Sequence, residues 1–167
     1  MNVLIPTLFA SLLSATAAHA APEKAVPAQP GNIVVQSIAE QEIEVKLPNG
    51  KTEKKLQAVT KAIPGSEVIY TTRFTNQGKL PAGNIAVTNP VPENTVYVGG
   101  SAFGDNTTIT YSLDSKNFNT PDKLKIKTAD GKERPAVPTE YTAIRWVYKG
   151  ELAVGKTGDV GFRVKIK

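Results

Sequence analysis

Cysteine is missing from the 167-residue chain, and histidine and methionine occur once each, as His19 and Met1. Both of these residues lie in a stretch that has the pattern of a secretory leader, so residues 21–167 contain none of the three. These absences exclude thiol chemistry, thiolate or imidazole metal sites, and any catalytic triad with histidine as its base. The composition therefore favours a protein that is stabilised by packing alone and that is not an enzyme.

The first 20 residues are predicted to be a signal peptide. Residues 3–13 are largely apolar, and Ala18-His19-Ala20 forms an A-x-A cleavage motif that makes Ala21 the first mature residue. No Lys or Arg precedes the apolar run. A membrane anchor would need about 20 apolar residues, whereas this run is shorter and Pro6 interrupts it. We therefore expect an exported protein, periplasmic or at the cell surface, with no transmembrane segment.

Residues 21–32 hold three prolines and a glycine among small and polar residues, and they are predicted to be a flexible lead-in. Residues 33–167 are predicted to form a single domain. Beyond the leader the chain has 40 Val, Ile and Thr but six Leu, a bias typical of strands. Residues 68–74 and 160–166 alternate apolar and polar side chains, which is typical of antiparallel strands with one face exposed to solvent. The predicted strands are 33–38, 42–47, 52–59, 67–76, 84–89, 95–102, 107–113, 123–128, 142–149 and 158–166.

Turn residues separate these strands and indicate a β-sandwich. Asn49-Gly50, between two alternating stretches, predicts an N-terminal β-hairpin. Asn76-Gln77-Gly78 is expected to place positive φ at the far end of a strand. The single tryptophan, Trp146, is expected at the centre of the core, next to three aromatic residues, Phe74, Phe162 and Tyr70.

Five segments carry a family resemblance, namely residues 63–71, 74–78, 81–92, 96–101 and 158–167. In the order of their turns and strands they resemble the conserved-repeat domain, an Ig-like sandwich known as domain of unknown function eleven, which occurs in bacterial and archaeal exported and surface proteins. The resemblance is strongest over residues 57–167. Asn89 stands where an Asp is more usual, and residues 113–141 are longer than a minimal member needs. The resemblance implies an all-β, Ig-like antiparallel β-sandwich with an N-terminal β-hairpin extension, and it implies no chemistry.

Carboxylates are the remaining candidates for catalysis. A glycosidase needs two of them about 5–10 Å apart across a cleft, but the Asp residues here lie in or beside predicted turns, where their backbone hydrogen bonding favours a structural role. Asp105 with Asn106, and Asp114 with Asn117, offer oxygen ligands to Ca²⁺, although neither pair has the spacing of a known calcium loop. We therefore expect no catalytic residue, no metal site and no cofactor, with Ca²⁺ as the one weak candidate.

The net charge is +5, and lysines alternate with apolar residues at Lys123, Lys125 and Lys127. The favoured interpretation is that these lysines prevent the edge of a sheet from pairing with other chains. The alternative is that they attract an anionic envelope polymer. Nucleic acid is not an expected partner, because the compartment is wrong and no aromatic stacking platform is evident. The candidate interaction residues lie in the loop of residues 103–106 and in the segment of residues 113–141, and are Phe103, Asp105, Asn106, Asp114, Lys123, Lys125 and Lys127.

The leading hypothesis is an exported, non-catalytic cell-envelope module, structural or interacting, that binds a protein or polymer through loops and strand edges. One alternative is a fibre or pilus subunit, which would form homo-oligomers by strand pairing. The other is a carboxylate-based hydrolase or carbohydrate-binding accessory. An isopeptide bond between Lys and Asn also stays open, and the mass of the intact protein tests it, since bond formation releases ammonia.

Overall fold

The computed structural model describes residues 32–61 and 63–167. The predicted leader and all but the last residue of the predicted lead-in lie outside this part of the chain. The described residues form strands joined by turns and two short 3-10 helices, Pro121–Lys123 and Pro138–Glu140. The strands are β1 (Ile33–Lys46), β2 (Thr52–Ala58), β3 (Glu67–Asn76), β4 (Ala82–Gly83), β5 (Ala86–Pro90), β6 (Thr95–Tyr97), β7 (Phe103–Gly104), β8 (Thr107–Ser112), β9 (Lys125–Lys127), β10 (Glu133–Pro135), β11 (Ala143–Tyr148), β12 (Glu151–Leu152) and β13 (Thr157–Ile166).

The larger sheet is antiparallel and has the order β2-β1-β3-β13-β6, with β7 also paired to β13. β1 pairs with β3 over residues 33–40 and with β2 over residues 40–46. The hairpin of β1 and β2 therefore extends past the start of β3, and the predicted hairpin extension is confirmed. The prediction of separate strands at 33–38 and 42–47 is wrong, because residues 39–41 interrupt the apolar pattern but contain no Gly or Pro to end the strand.

The smaller sheet has the order β5-β11-β8 and is also antiparallel. Two short ribbons, β9 with β10 and β4 with β12, complete the strand pairing of the described residues. The fold is thus an all-β antiparallel sandwich, as predicted. The predicted strand 95–102 is shorter in the structure because the chain turns at Gly99-Gly100, where Gly100 has a φ of 76°. Similarly, the predicted strand 123–128 begins only at Lys125, after the 3-10 helix.

The core lies between the two sheets and is rich in aromatic rings. Trp146 of the smaller sheet and Phe74 and Phe162 of the larger sheet are each 1% exposed. The ring centroids of Trp146 and Phe162 are 6.0 Å apart, and Tyr70 stacks on Phe162 at 5.8 Å. Burying each such side chain contributes about 1.5–3 kcal/mol. The expected position of Trp146 at the centre of the core is confirmed.

Asn76 closes the core at the end of β3 and is fully buried. Its side-chain Nδ2 donates to the carbonyls of Leu80 and Leu152, each at 2.8 Å, and its Oδ1 accepts from the Gly78 N–H at 2.9 Å. The expectation of positive φ at this turn is wrong: none of its residues has it. Side-chain hydrogen bonds from Asn76, rather than a left-handed residue, hold the turn.

Candidate functional site

A groove of about 680 Å³ opens beside the start of β13. β7 pairs with β13 only at Val160 and Gly161. On the side away from β3, the preceding residues of β13 therefore have the turn between β7 and β8 as their neighbour instead of a strand. The lining residues come from four strands and this turn and are Arg73, Phe103, Gly104, Asp105, Asn106, Tyr148, Thr157, Gly158 and Asp159. Three of the predicted interaction residues, Phe103, Asp105 and Asn106, are therefore brought together here.

An ion pair forms one wall of the groove. Arg73 and Asp159 are opposite each other in the register of β3 and β13, and Nε and Nη2 of Arg73 donate to the two carboxylate oxygens at 2.9 and 2.8 Å. The hydrogen bonds from Arg73 lower the pKa of Asp159, and they outweigh the opposing effect of desolvation. Both side chains stay partly exposed. The wall therefore presents a fixed, ionised pair at neutral pH.

The turn between β7 and β8 forms the opposite wall. Asn106 has a φ of 54°, a conformation that Asn tolerates better than most residues. Its side-chain Nδ2 donates to the Lys149 carbonyl at 2.7 Å, and the Lys149 N–H donates to the Asn106 carbonyl at 2.8 Å. Thr107 Oγ1 donates to the carbonyl of Gly104 at 2.8 Å. These bonds anchor the turn to the chain that leaves β11, so the wall is preformed.

Phe103 gives the groove an exposed aromatic surface. Its side chain is 42% exposed and lies on the outer face of the larger sheet, over Gly161. A Cβ at Gly161 would lie 2.4 Å from Cζ of Phe103, so only glycine leaves room for the ring at that position. A glycine inside a strand often marks such a close approach. Gly161 is therefore the residue in the sequence that indicates the close approach of another group, here the ring of Phe103, to this strand.

Asp114, Lys123 and Lys125 line a second, separate depression of about 210 Å³. The Asp114 carboxylate accepts four hydrogen bonds, from the hydroxyl of Ser112, the N–H groups of Lys116 and Asn117, and the Asn117 side chain. These bonds, led by the Asn117 N–H, hold the pKa of Asp114 far below its usual range. Asp114 thus shapes its own turn, and the bonds satisfy its oxygens without a cation.

The lysines of this region have different surroundings. Lys125 makes an ion pair of 3.4 Å with Glu133 across the β9–β10 ribbon. Lys123 lies in the 3-10 helix, so the expected alternation of three lysines along one strand is wrong there. Lys127 lines neither depression. The structure thus divides the predicted residues into two clusters and leaves Lys127 outside both.

The groove also contains residues that were not among the predicted interaction residues, above all Arg73, Asp159 and Tyr148. Arg73 and Asp159 are 86 positions apart in the chain, and only the pairing of β3 with β13 brings them together. Within residues 32–61 and 63–167, no three His, Cys, Asp or Glu side chains converge on a point where they could hold a metal ion. No helix in this part of the chain is long and apolar enough to cross a bilayer.

Comparison with known proteins gives no relative: no protein-family model, no curated protein and no solved structure matches the chain.

Proposed function

We propose that the protein is an exported, non-catalytic module of the cell envelope that binds a protein or an envelope polymer through the groove beside β13 and its neighbouring loops. Export is inferred from the leader pattern in residues 1–20. The Ig-like family resemblance, which rests on the order of turns and strands over residues 57–167, supports the same setting.

The observation that carries the proposal is the composition of the groove. It combines an exposed aromatic ring, Phe103, with the fixed ion pair of Arg73 and Asp159 and with the polar side chains of Asp105 and Asn106. An aromatic surface beside a few placed polar groups is the usual make-up of a recognition site. The walls are held by hydrogen bonds, so a ligand would meet a preorganised surface and pay little ordering entropy.

The carboxylates favour binding over hydrolysis. A general acid at neutral pH needs a raised pKa, whereas hydrogen bonds lower the pKa of Asp159 in the groove and of Asp114 in the second depression. Asp159 is also occupied by Arg73 through both oxygens. These groups are therefore suited to hold a conformation or a ligand, and not to donate a proton.

The test compares three forms of the protein in pull-downs from envelope fractions: wild type, Phe103→Ala and Val137→Ala. Phe103 is 42% exposed and Val137 is 48% exposed, but Val137 does not line the groove, so it controls for loss of an exposed apolar side chain. We expect the partner to be retained by wild type and Val137→Ala and lost from Phe103→Ala. Equal recovery by all three forms would contradict the groove as the binding site, and no recovery in any fraction would contradict the binding function.

Strand pairing between copies is the second candidate function. β2 supports it, because all seven of its residues are exposed and Leu56 in its middle is 55% exposed. Sedimentation velocity at rising protein concentration tests it, with a concentration-dependent increase expected for a fibre subunit. A constant monomer value would reject this function while leaving the groove proposal intact.

A further inference from the structure

A row of side chains runs along β13 on the outer face of the larger sheet. Thr157, Asp159 and Gly161 are alternate residues of this strand, so they face the same side of the sheet. Phe103 is opposite Gly161 in the register of β7 and β13, and its ring covers that glycine. We call this row the β13 track: Thr157, Asp159 with its partner Arg73, and Phe103. It is about 13 Å long, since a strand rises about 3.3 Å per residue.

The polar groups of the β13 track are placed in pairs across β3 and β13. The hydroxyl groups of Thr75 and Thr157 are opposite each other in the register and are hydrogen-bonded at 2.9 Å. The next pair on this face is Arg73 with Asp159, in which Nε and Nη2 donate to the carboxylate. Within the described part of the chain, Nη1 of Arg73 donates to no other group. The track therefore offers a ligand donors and acceptors side by side, held by the register of two strands.

The charges in the groove favour a neutral ligand. Arg73 and Asp159 cancel each other, Asp105 adds a negative charge, and the other lining residues are uncharged. An anionic polymer would meet Asp105 with no unpaired cation among the described lining residues, although the whole chain has a net charge of +5. A cationic ligand would be attracted to Asp105 but repelled by Arg73, whose Nη1 can only donate.

Phe103 supplies a flat apolar surface beside these polar groups, because its side chain is 42% exposed above β13. The face of an aromatic ring is electron-rich and attracts weakly positive C–H groups. A sugar ring has C–H groups on its faces and hydroxyl groups around its rim, and each hydroxyl both donates and accepts. The chemistry of the β13 track is thus complementary to that of an uncharged sugar.

We propose that the β13 track binds a chain of neutral sugars, with one sugar ring stacked on Phe103 and further rings hydrogen-bonded to the pair of Arg73 and Asp159. The side chains of Asp105 and Asn106 in the opposite wall accept hydrogen bonds from the hydroxyl groups of the same chain. The track is longer than one sugar ring, so the ligand is a polysaccharide and not a single sugar. This inference rests on the proposed function, because it names the class of polymer that the groove beside β13 takes.

Binding of the purified protein to an array of immobilised neutral and acidic glycans tests the proposal, and we expect wild type to bind neutral polysaccharide chains. Isothermal titration calorimetry with the best-bound neutral glycan then compares wild type, Phe103→Ala and Val137→Ala. The affinity should fall at least about fivefold in Phe103→Ala, which loses the aromatic anchor. It should be unchanged in Val137→Ala, since Val137 is 48% exposed but does not line the groove. Fluorescence of Trp146 verifies in each variant that the sandwich is folded.

The salt dependence of the same titration tests the neutral character of the ligand. Salt screens interactions between charges, so the affinity of wild type for a neutral glycan should change less than about twofold between about 50 and 500 mM NaCl. A fall in affinity over this range would assign the binding to ionic contacts and contradict the proposal.

Three further results would overturn the proposal. Wild type would bind no neutral glycan on the array, it would prefer acidic glycans, or Phe103→Ala would bind the neutral glycan as tightly as wild type. The proposed function is judged separately by the pull-down from envelope fractions. A protein partner that is lost from Phe103→Ala, without binding of any glycan, would keep the groove as the binding site and reject only its assignment to sugars.

Discussion

Replacing Asn76 by alanine should be one of the most damaging single changes outside the apolar core. The side chain is 0% exposed and connects three backbone groups, the carbonyls of Leu80 and Leu152 and the N–H of Gly78. Alanine removes all three hydrogen bonds and supplies no replacement. The carbonyl of Leu152 is the most affected, since its bond to Asn76 is buried.

The expected loss follows from the three bonds. Each contributes about 0.5–1.5 kcal/mol net, and a buried group left unsatisfied costs about 1–3 kcal/mol. Water can replace the part-buried partners at Leu80 and Gly78, so we expect a total destabilisation of about 3 kcal/mol. That is a large fraction of the roughly 5–15 kcal/mol by which a domain is stable. At this chain length it corresponds to a fall in melting temperature of about 6–12 °C.

Urea unfolding followed by the fluorescence of Trp146 measures this loss, because that residue is the only tryptophan and is 1% exposed when folded. Asn49→Ala is the control, since Asn49 accepts one exposed hydrogen bond, from the Lys51 N–H at 3.0 Å. It should cost no more than about 1 kcal/mol. A loss below that value for Asn76→Ala, with an unchanged denaturant slope, would refute the role assigned to Asn76 in closing the core.

Two other changes test packing and charge. Gly158→Ala would place a Cβ 2.3 Å from Cζ of the buried Phe74, so we expect the free energy of unfolding to fall by about 1–3 kcal/mol. Gly83→Ala is the control and should be nearly neutral, because the nearest contact of its Cβ would be at 3.7 Å. Equal effects of the two changes in urea unfolding would contradict the packing around Gly158. Hydrogen bonds from Arg134, and next from the Val137 N–H, lower the pKa of Glu140 from 4.5 to about 2. The contribution of the ion pair of Arg134 and Glu140 is therefore present above pH 4.5 and is lost as the pH falls towards 2. Arg134→Ala should therefore destabilise the protein more at pH 7 than at pH 2.5, and a difference independent of pH would argue against the pair.

The sequence predicted the elements that local chemistry determines. Asn49-Gly50 predicted the hairpin of β1 and β2, and the alternation in residues 160–166 predicted β13, because turn residues and a period of two act over a few positions. The sequence pattern does not predict the single strand over residues 33–46, because its apolar pattern is interrupted although its backbone is continuous. The continuity of a strand depends on its neighbours, and β3 and β2 pair with β1 in succession.

The candidate site was only partly predictable for the same reason. Phe103, Asp105 and Asn106 are close in the chain, and their loop could be selected from composition alone. Arg73 and Asp159 could not be selected in this way, because they are 86 positions apart in the chain and meet only through the register of β3 and β13. No local pattern encodes that register, which depends on how the whole larger sheet is assembled.

Two of the edge strands of the sandwich, β2 and β5, differ in a way that bears on self-association. β2 carries charged side chains at three consecutive positions, residues 53–55, with Lys54 paired to Glu42 at 2.7 Å, and charges on an edge oppose pairing with another copy. β5 carries no charged residue and lies beside exposed apolar surface, which is the kind of edge that natural proteins cover. A fibre that is assembled through β2 would have to bring these charged residues together, so the expected form of that assembly is one that depends on salt concentration.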